Sequence, residues 1–105
     1  MPLDRLPDLN PEEGVVLDEE LAYSDDVLVK IFALGPRSEL DPHAHEGSRN
    51  VFHVLEGEVV VVQDDDEERI AAPGVVVHEP GAVHGARNES DERAVLTATF
   101  APSPG

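Results

Sequence analysis

The sequence predicts an all-β barrel or sandwich, and three observations lead there. Fifteen of the 105 residues are valine, four of them consecutive at Val59–Val62, and β-branched side chains suit a pleated, half-buried surface better than a helix. Turn-forming pairs recur at short intervals, at Gly35-Pro36, Asp41-Pro42, Glu56-Gly57, Pro73-Gly74 and Pro80-Gly81, the punctuation of many short strands. No segment sustains an i, i+3, i+4, i+7 apolar stripe over ten residues, so helix content should be low.

Taken in order, residues 1–14 carry Pro2, Pro7, Pro11 and Gly14 among acidic residues and read as an N-terminal arm. The barrel is expected over 15–101, and residues 102–105 form an irregular tail. Strands are expected at Val15–Leu17, Glu20–Tyr23, Val27–Ala33, Ser38–His43, Asn50–Leu55, Glu58–Gln63, Arg69–Ala71, Val75–His78, Val83–Arg87 and Ala94–Phe100. The segment Val27–Ala33 is apolar on both faces, which asks for a barrel interior on one side and a partner subunit or second sheet on the other. The run Asp64–Glu68 lacks the spaced ligands and glycine of a calcium loop and reads as a solvated acidic turn.

At this length there is room for one domain and one core. The absence of cysteine excludes disulfides, thiolate-bound zinc and thiol nucleophiles, leaving histidine, carboxylate and amide donors for any metal. The N-terminus has no basic segment followed by an apolar run, and no stretch approaches a membrane span, so a cytoplasmic location is expected. The net charge of −16, from 23 carboxylates against six Arg and Lys30, repels nucleic acid and anionic lipid, so neither is an expected partner. Scarce lysine with abundant acid also resembles proteins of halophilic organisms, whose concentrated salt screens such self-repulsion.

Pro42-His43-Ala44-His45 places two imidazoles two residues apart on a segment that begins extended, where they can project from one face toward one ion. Taken alone, such a pair more often belongs to a solvated turn than to a metal site. Its surroundings are more specific. Gly35–Gly57, with His-x-His followed by an apolar strand ending Val54-Leu55-Glu56-Gly57-Glu58, resembles the first motif of the cupin superfamily. Gly74–Asn88, with Pro80-Gly81-Ala82-Val83-His84 and Asn88, resembles the second motif, one residue shorter between Gly74 and Gly81 than is usual.

The resemblance implies a double-stranded β-helix (jelly-roll) cupin barrel, paired as a homodimer. It also implies a metal site built from His43, His45 and His84, with a fourth ligand seven residues before Gly57. That position is usually Glu, but here it is Asn50, which offers a neutral amide in place of a carboxylate. Three neutral imidazoles leave a divalent ion with its full +2 charge, which makes bound water more acidic. Three-His centres of this kind occur among cupins that use Fe(II) to activate O₂, the thiol and diketone dioxygenases, and the resemblance to these is in the ligand set only. The implied cofactor is a divalent transition metal, Fe preferred with Zn, Ni or Mn as alternatives. The implied ligand is a small organic molecule, and a non-catalytic binding or sensor barrel is the competing reading. Glu46, beside Gly47, is a further candidate carboxylate. Phe52 and Val54 share the parity of Asn50 and are expected as pocket wall, with His53 on the opposite face and His78 at the pocket rim.

Overall fold

The computed structural model describes residues 6–104, which form nine strands and no helix. The strands are β1 (Val16–Tyr23), β2 (Leu28–Leu34), β3 (Ser38–His43), β4 (Arg49–Glu56), β5 (Glu58–Gln63), β6 (Asp66–Ala71), β7 (Gly74–His78), β8 (His84–Asn88) and β9 (Ala94–Ala101). They assemble into a five-stranded sheet, β1-β2-β9-β4-β7, facing a four-stranded sheet, β3-β8-β5-β6. All pairings are antiparallel, and the core lies between the sheets. This is the expected jelly roll. No helix among the described residues is long and apolar enough to cross a membrane.

Alternation sets the inward face. On β4, Asn50, Phe52 and Val54 are buried while Arg49, His53 and Leu55 are exposed, as a period of two requires. Phe32 and Leu34 from β2, Val59 and Val61 from β5, and Leu96, Ala98 and Phe100 from β9 join Phe52 and Val54 in one apolar cluster. Gly57 carries the chain from β4 in one sheet to β5 in the other at φ +74, and a Cβ there would meet the Arg93 carbonyl at 2.8 Å. Glycine tolerates both that dihedral and that approach.

The second cover that β2 requires comes partly from the arm. Ile31 and Ala33, on the outward face, are each only 1% exposed, and they share a cleft with Leu6, Pro7, Asp8 and Leu9. Arg93 clamps the arm there, donating to Asp8 Oδ1 (2.9 Å), the Leu9 carbonyl (2.8 Å) and Asn10 Oδ1 (3.0 Å) while also pairing with Glu56. Residues 1–5 of the expected arm lie outside the described residues.

Two local expectations are revised. The segments Val15–Leu17 and Glu20–Tyr23 join into β1, because a bulge between Glu20 and Ala22 absorbs the irregularity without ending the pairing with β2. The acidic turn shrinks to Asp64-Asp65, with Asp64 at φ 52, and Asp66–Glu68 enter β6 opposite Val61–Gln63. Edge position decides this, since carboxylates on an edge strand remain in water while the backbone still pairs.

Candidate metal centre

Two strands and one loop bring three imidazoles together. His43, closing β3, is the cross-strand partner of His84, opening β8. A bulge between Leu40 and His43, spanning Pro42, aims the first ring. The strand ends at His43, so His45 comes from the following loop and not from the same strand face. That loop is tied to the β7–β8 turn, where the Gly81 amide donates to the His45 carbonyl at 3.0 Å. Ring centroids lie 4.9 Å apart for His43–His45, 4.6 Å for His43–His84 and 5.9 Å for His45–His84. One donor nitrogen from each residue lies within 4.8 Å of the others.

The proton positions suit a cation. Nδ1 of His43 lies 2.9 Å from the Asp41 carbonyl, and Nδ1 of His84 lies 3.0 Å from the Ala82 carbonyl. A carbonyl can only accept, so both Nδ1 atoms carry hydrogen and both Nε2 atoms present lone pairs. Nε2 of His84 is buried without any hydrogen-bond partner, and a buried polar atom left unpaired is costly unless something completes it. Burial, with the neighbouring imidazoles, holds the pKa of both His45 and His84 below the ordinary 6.5, keeping them in the neutral form that binds metal. The three residues therefore fit a divalent transition ion.

The register places Asn50 beside this group. On the inward face it stands between Phe100 on β9 and His78 on β7, while Phe100 packs edge-on against His45 at 5.0 Å and His78 stacks on His84 at 4.8 Å. Asn50 is wholly buried, and neither its Oδ1 nor its Nδ2 has a partner. Phe52 is pocket wall, with its ring 4.7 Å from His78 and 5.8 Å from His84. Val54 lies further along the same face in the apolar core. Glu46 is exposed, stands near Gly81, and is not among the grouped donors. His53 faces outward and is exposed.

His78 differs from its expected rim position, since it is 0% exposed. The reason is Gln63 on the facing sheet, whose Oε1 accepts from His78 Nδ1 at 2.7 Å and draws the ring inward. Gln63 is the site residue that the sequence did not reveal. Its only sequence signal was the place where a polar residue ends the valine run of β5.

The scan against protein families matches residues 30–100 to the cupin domain. The chain belongs to the cupin family. Among solved structures, the TT1209 protein of Thermus thermophilus is 38% identical over 90% of this chain and 89% of its own, with a TM-score of 0.82. A double-stranded β-helix protein of Klebsiella pneumoniae is 24% identical (91% and 85% covered, TM-score 0.84). A cupin superfamily protein of Desulfitobacterium hafniense is 20% identical (90% and 84% covered, TM-score 0.80). No curated protein matches the chain.

Burial also makes this cupin acid-sensitive. In the metal-free protein, burial and the adjacent His84 push His78 down to about 4 from the ordinary 6.5. Between those values the unfolded chain binds a proton that the folded chain refuses. Stability is therefore full above about pH 6.5 and declines as the pH falls toward 4, by up to about 1.4 kcal/mol per pH unit for one group. The urea midpoint of metal-free protein should be lower at about pH 5 than at about pH 7, and His78→Leu should reduce that dependence, leaving the share that the lowered His45 and His84 contribute. Equal slopes would exclude His78 as its source.

Proposed function

We propose that this protein is a metal-dependent cupin acting on a small organic molecule, with Fe(II) the preferred ion and O₂-dependent oxidation its reaction, and with Zn, Ni or Mn as alternative ions. The observation that carries this reading is the convergence of His43, His45 and His84 with Nε2 left free on at least two of them. When bound, ferrous iron would supply the redox chemistry. The chain's own contribution is to hold the ion with three neutral donors, to set the Asn50 amide beside it, and to exclude water with Phe52 and Phe100.

A neutral Asn50 where cupins usually carry a carboxylate favours the second reading, a binding or sensor barrel without turnover. Metal analysis of untagged protein after anaerobic reconstitution, followed by oxygen uptake with thiols, diketones and phenolics, separates the two. Stoichiometric iron with substrate-dependent uptake supports the enzyme. Bound metal without uptake supports a sensor that keeps the ion, and absence of any bound transition metal after reconstitution defeats the enzyme and points to the binding barrel.

We also infer that two copies pair through the outer face of the five-stranded sheet. Val75 is 60% exposed, Val77 49% and Leu55 37%, and the outward positions of β4, β7 and β9 between their ends carry no carboxylate. In a chain of net charge −16, such a face is where a second copy can approach without repulsion. Sedimentation should give a dimer that Val75→Asp converts to monomer; a wild-type monomer would refute the pairing.

A further inference from the structure

Three further buried polar atoms stand beside the three imidazoles. Asn50 Oδ1, Asn50 Nδ2 and His78 Nε2 are all buried and all lack a hydrogen-bond partner. The two residues face each other across β4 and β7, both 0% exposed, so their side chains are immediate neighbours on the inward face. Gln63 Oε1 accepts the hydrogen on His78 Nδ1, which leaves Nε2 as a bare acceptor. Gln63 is itself the cross-strand partner of His84. A belt of four side chains, His84, Gln63, His78 and Asn50, thus links the two sheets beside the centre.

The chemistry of that belt is neutral. Each cation among the described residues is already engaged by carboxylate: Lys30 by Asp18, Arg37 by Glu13 and Asp91, Arg49 by Glu79, Arg69 by Glu58 and Glu89, Arg87 by Glu67 and Glu89, and Arg93 by Asp8 and Glu56. An anionic group placed against Asn50 and His78 would meet two acceptors and a single amide donor, with no positive side chain. A hydroxyl or N–H would instead give its hydrogen to His78 Nε2, while Asn50 satisfies the atom beside it. Unpaired acceptors discriminate strongly in favour of a ligand that brings the missing donor.

We propose that Asn50 and His78, with Gln63 behind His78, form a ligand subsite for a metal-chelating small molecule that keeps a hydrogen, as hydroxyl or N–H, next to its metal-binding oxygen. This rests on the three-imidazole reading and adds the class of molecule the centre takes. Gln63 acts through His78 and is a positioning residue. It also lines a groove of about 430 Å³ between the edge strands β6 and β7, together with Val61, Ile70 and Val76.

The test uses cobalt-loaded full-length protein and two chelators that differ at one position. Acetohydroxamic acid and N-methylacetohydroxamic acid both chelate through two oxygens, but only the first has an N–H. Visible titration should show wild type preferring the first by roughly tenfold, the worth of one hydrogen bond. His78→Leu and, separately, Asn50→Val should bring the two affinities together at unchanged cobalt stoichiometry, and Gln63→Leu should weaken the preference partially. A purely structural role would lower both affinities alike. If the wild type binds cobalt without preferring the N–H probe, or if the preference survives in His78→Leu, the inference is overturned while the metal reading stands. A wild type that takes up no cobalt overturns both.

Discussion

Substituting His84 with alanine should abolish stoichiometric metal binding. The residue supplies one of three imidazoles, its Nε2 is a buried lone pair without a partner, and its ring is held by the Ala82 carbonyl and by stacking on His78. Loss of a partner that merely orients a ligand weakens metal binding by about 10–100-fold, so loss of the ligand itself should exceed about 100-fold. Elemental analysis after reconstitution reads this directly. Thermal unfolding gives a second readout, because an ion held at 100 times its Kd stabilises the folded state by about 2.7 kcal/mol. For a domain of this size that raises the Tm by roughly 10–20 °C. Wild type and His53→Ala should show the rise, since His53 faces away from the site; His84→Ala should not. Full metal occupancy in His84→Ala would remove the three-imidazole centre from this protein.

The second large effect is expected at Phe52. This ring is 1% exposed, belongs to the apolar cluster between the sheets, and touches both His78 and His84. Truncation to alanine removes the buried ring and leaves a cavity that strands on both sides resist filling, at a cost of about 3–5 kcal/mol. Domains of this kind are stable by only about 5–15 kcal/mol, so urea denaturation should show the loss of a large part of the total. Tyr23→Ala is the contrast, since that side chain is 63% exposed on β1, at the sheet edge away from the inferred pairing face, and surface substitutions usually fall within about 0.5 kcal/mol. Comparable losses in the two variants would mean that the sheet interior is not where this fold is held.

The two effects differ in origin. His84 is polar, buried and locally unsatisfied, so what its removal costs depends on whether an ion is present. Phe52 is apolar and satisfied, so its removal is costly either way. Measuring both variants with and without metal therefore separates the site from the core that supports it.

What the sequence determined by itself was the architecture and three of the imidazoles. β3 and β5 begin and end where the alternation and the turn residues place them, Gly57 carries the positive φ that its position predicts, and Asn50, Phe52 and Val54 share the buried face. These are local properties, since side-chain period and turn chemistry act over a few neighbouring residues. Only the tertiary structure decided the inward turn of His78, its bond to Gln63, the pairing of Asn50 with His78, and the cover that Leu6–Leu9 give to Ile31 and Ala33. Each of these depends on register or packing between segments far apart in the chain. A cross-strand partner is chosen by how whole strands align, and no short stretch of sequence carries that alignment.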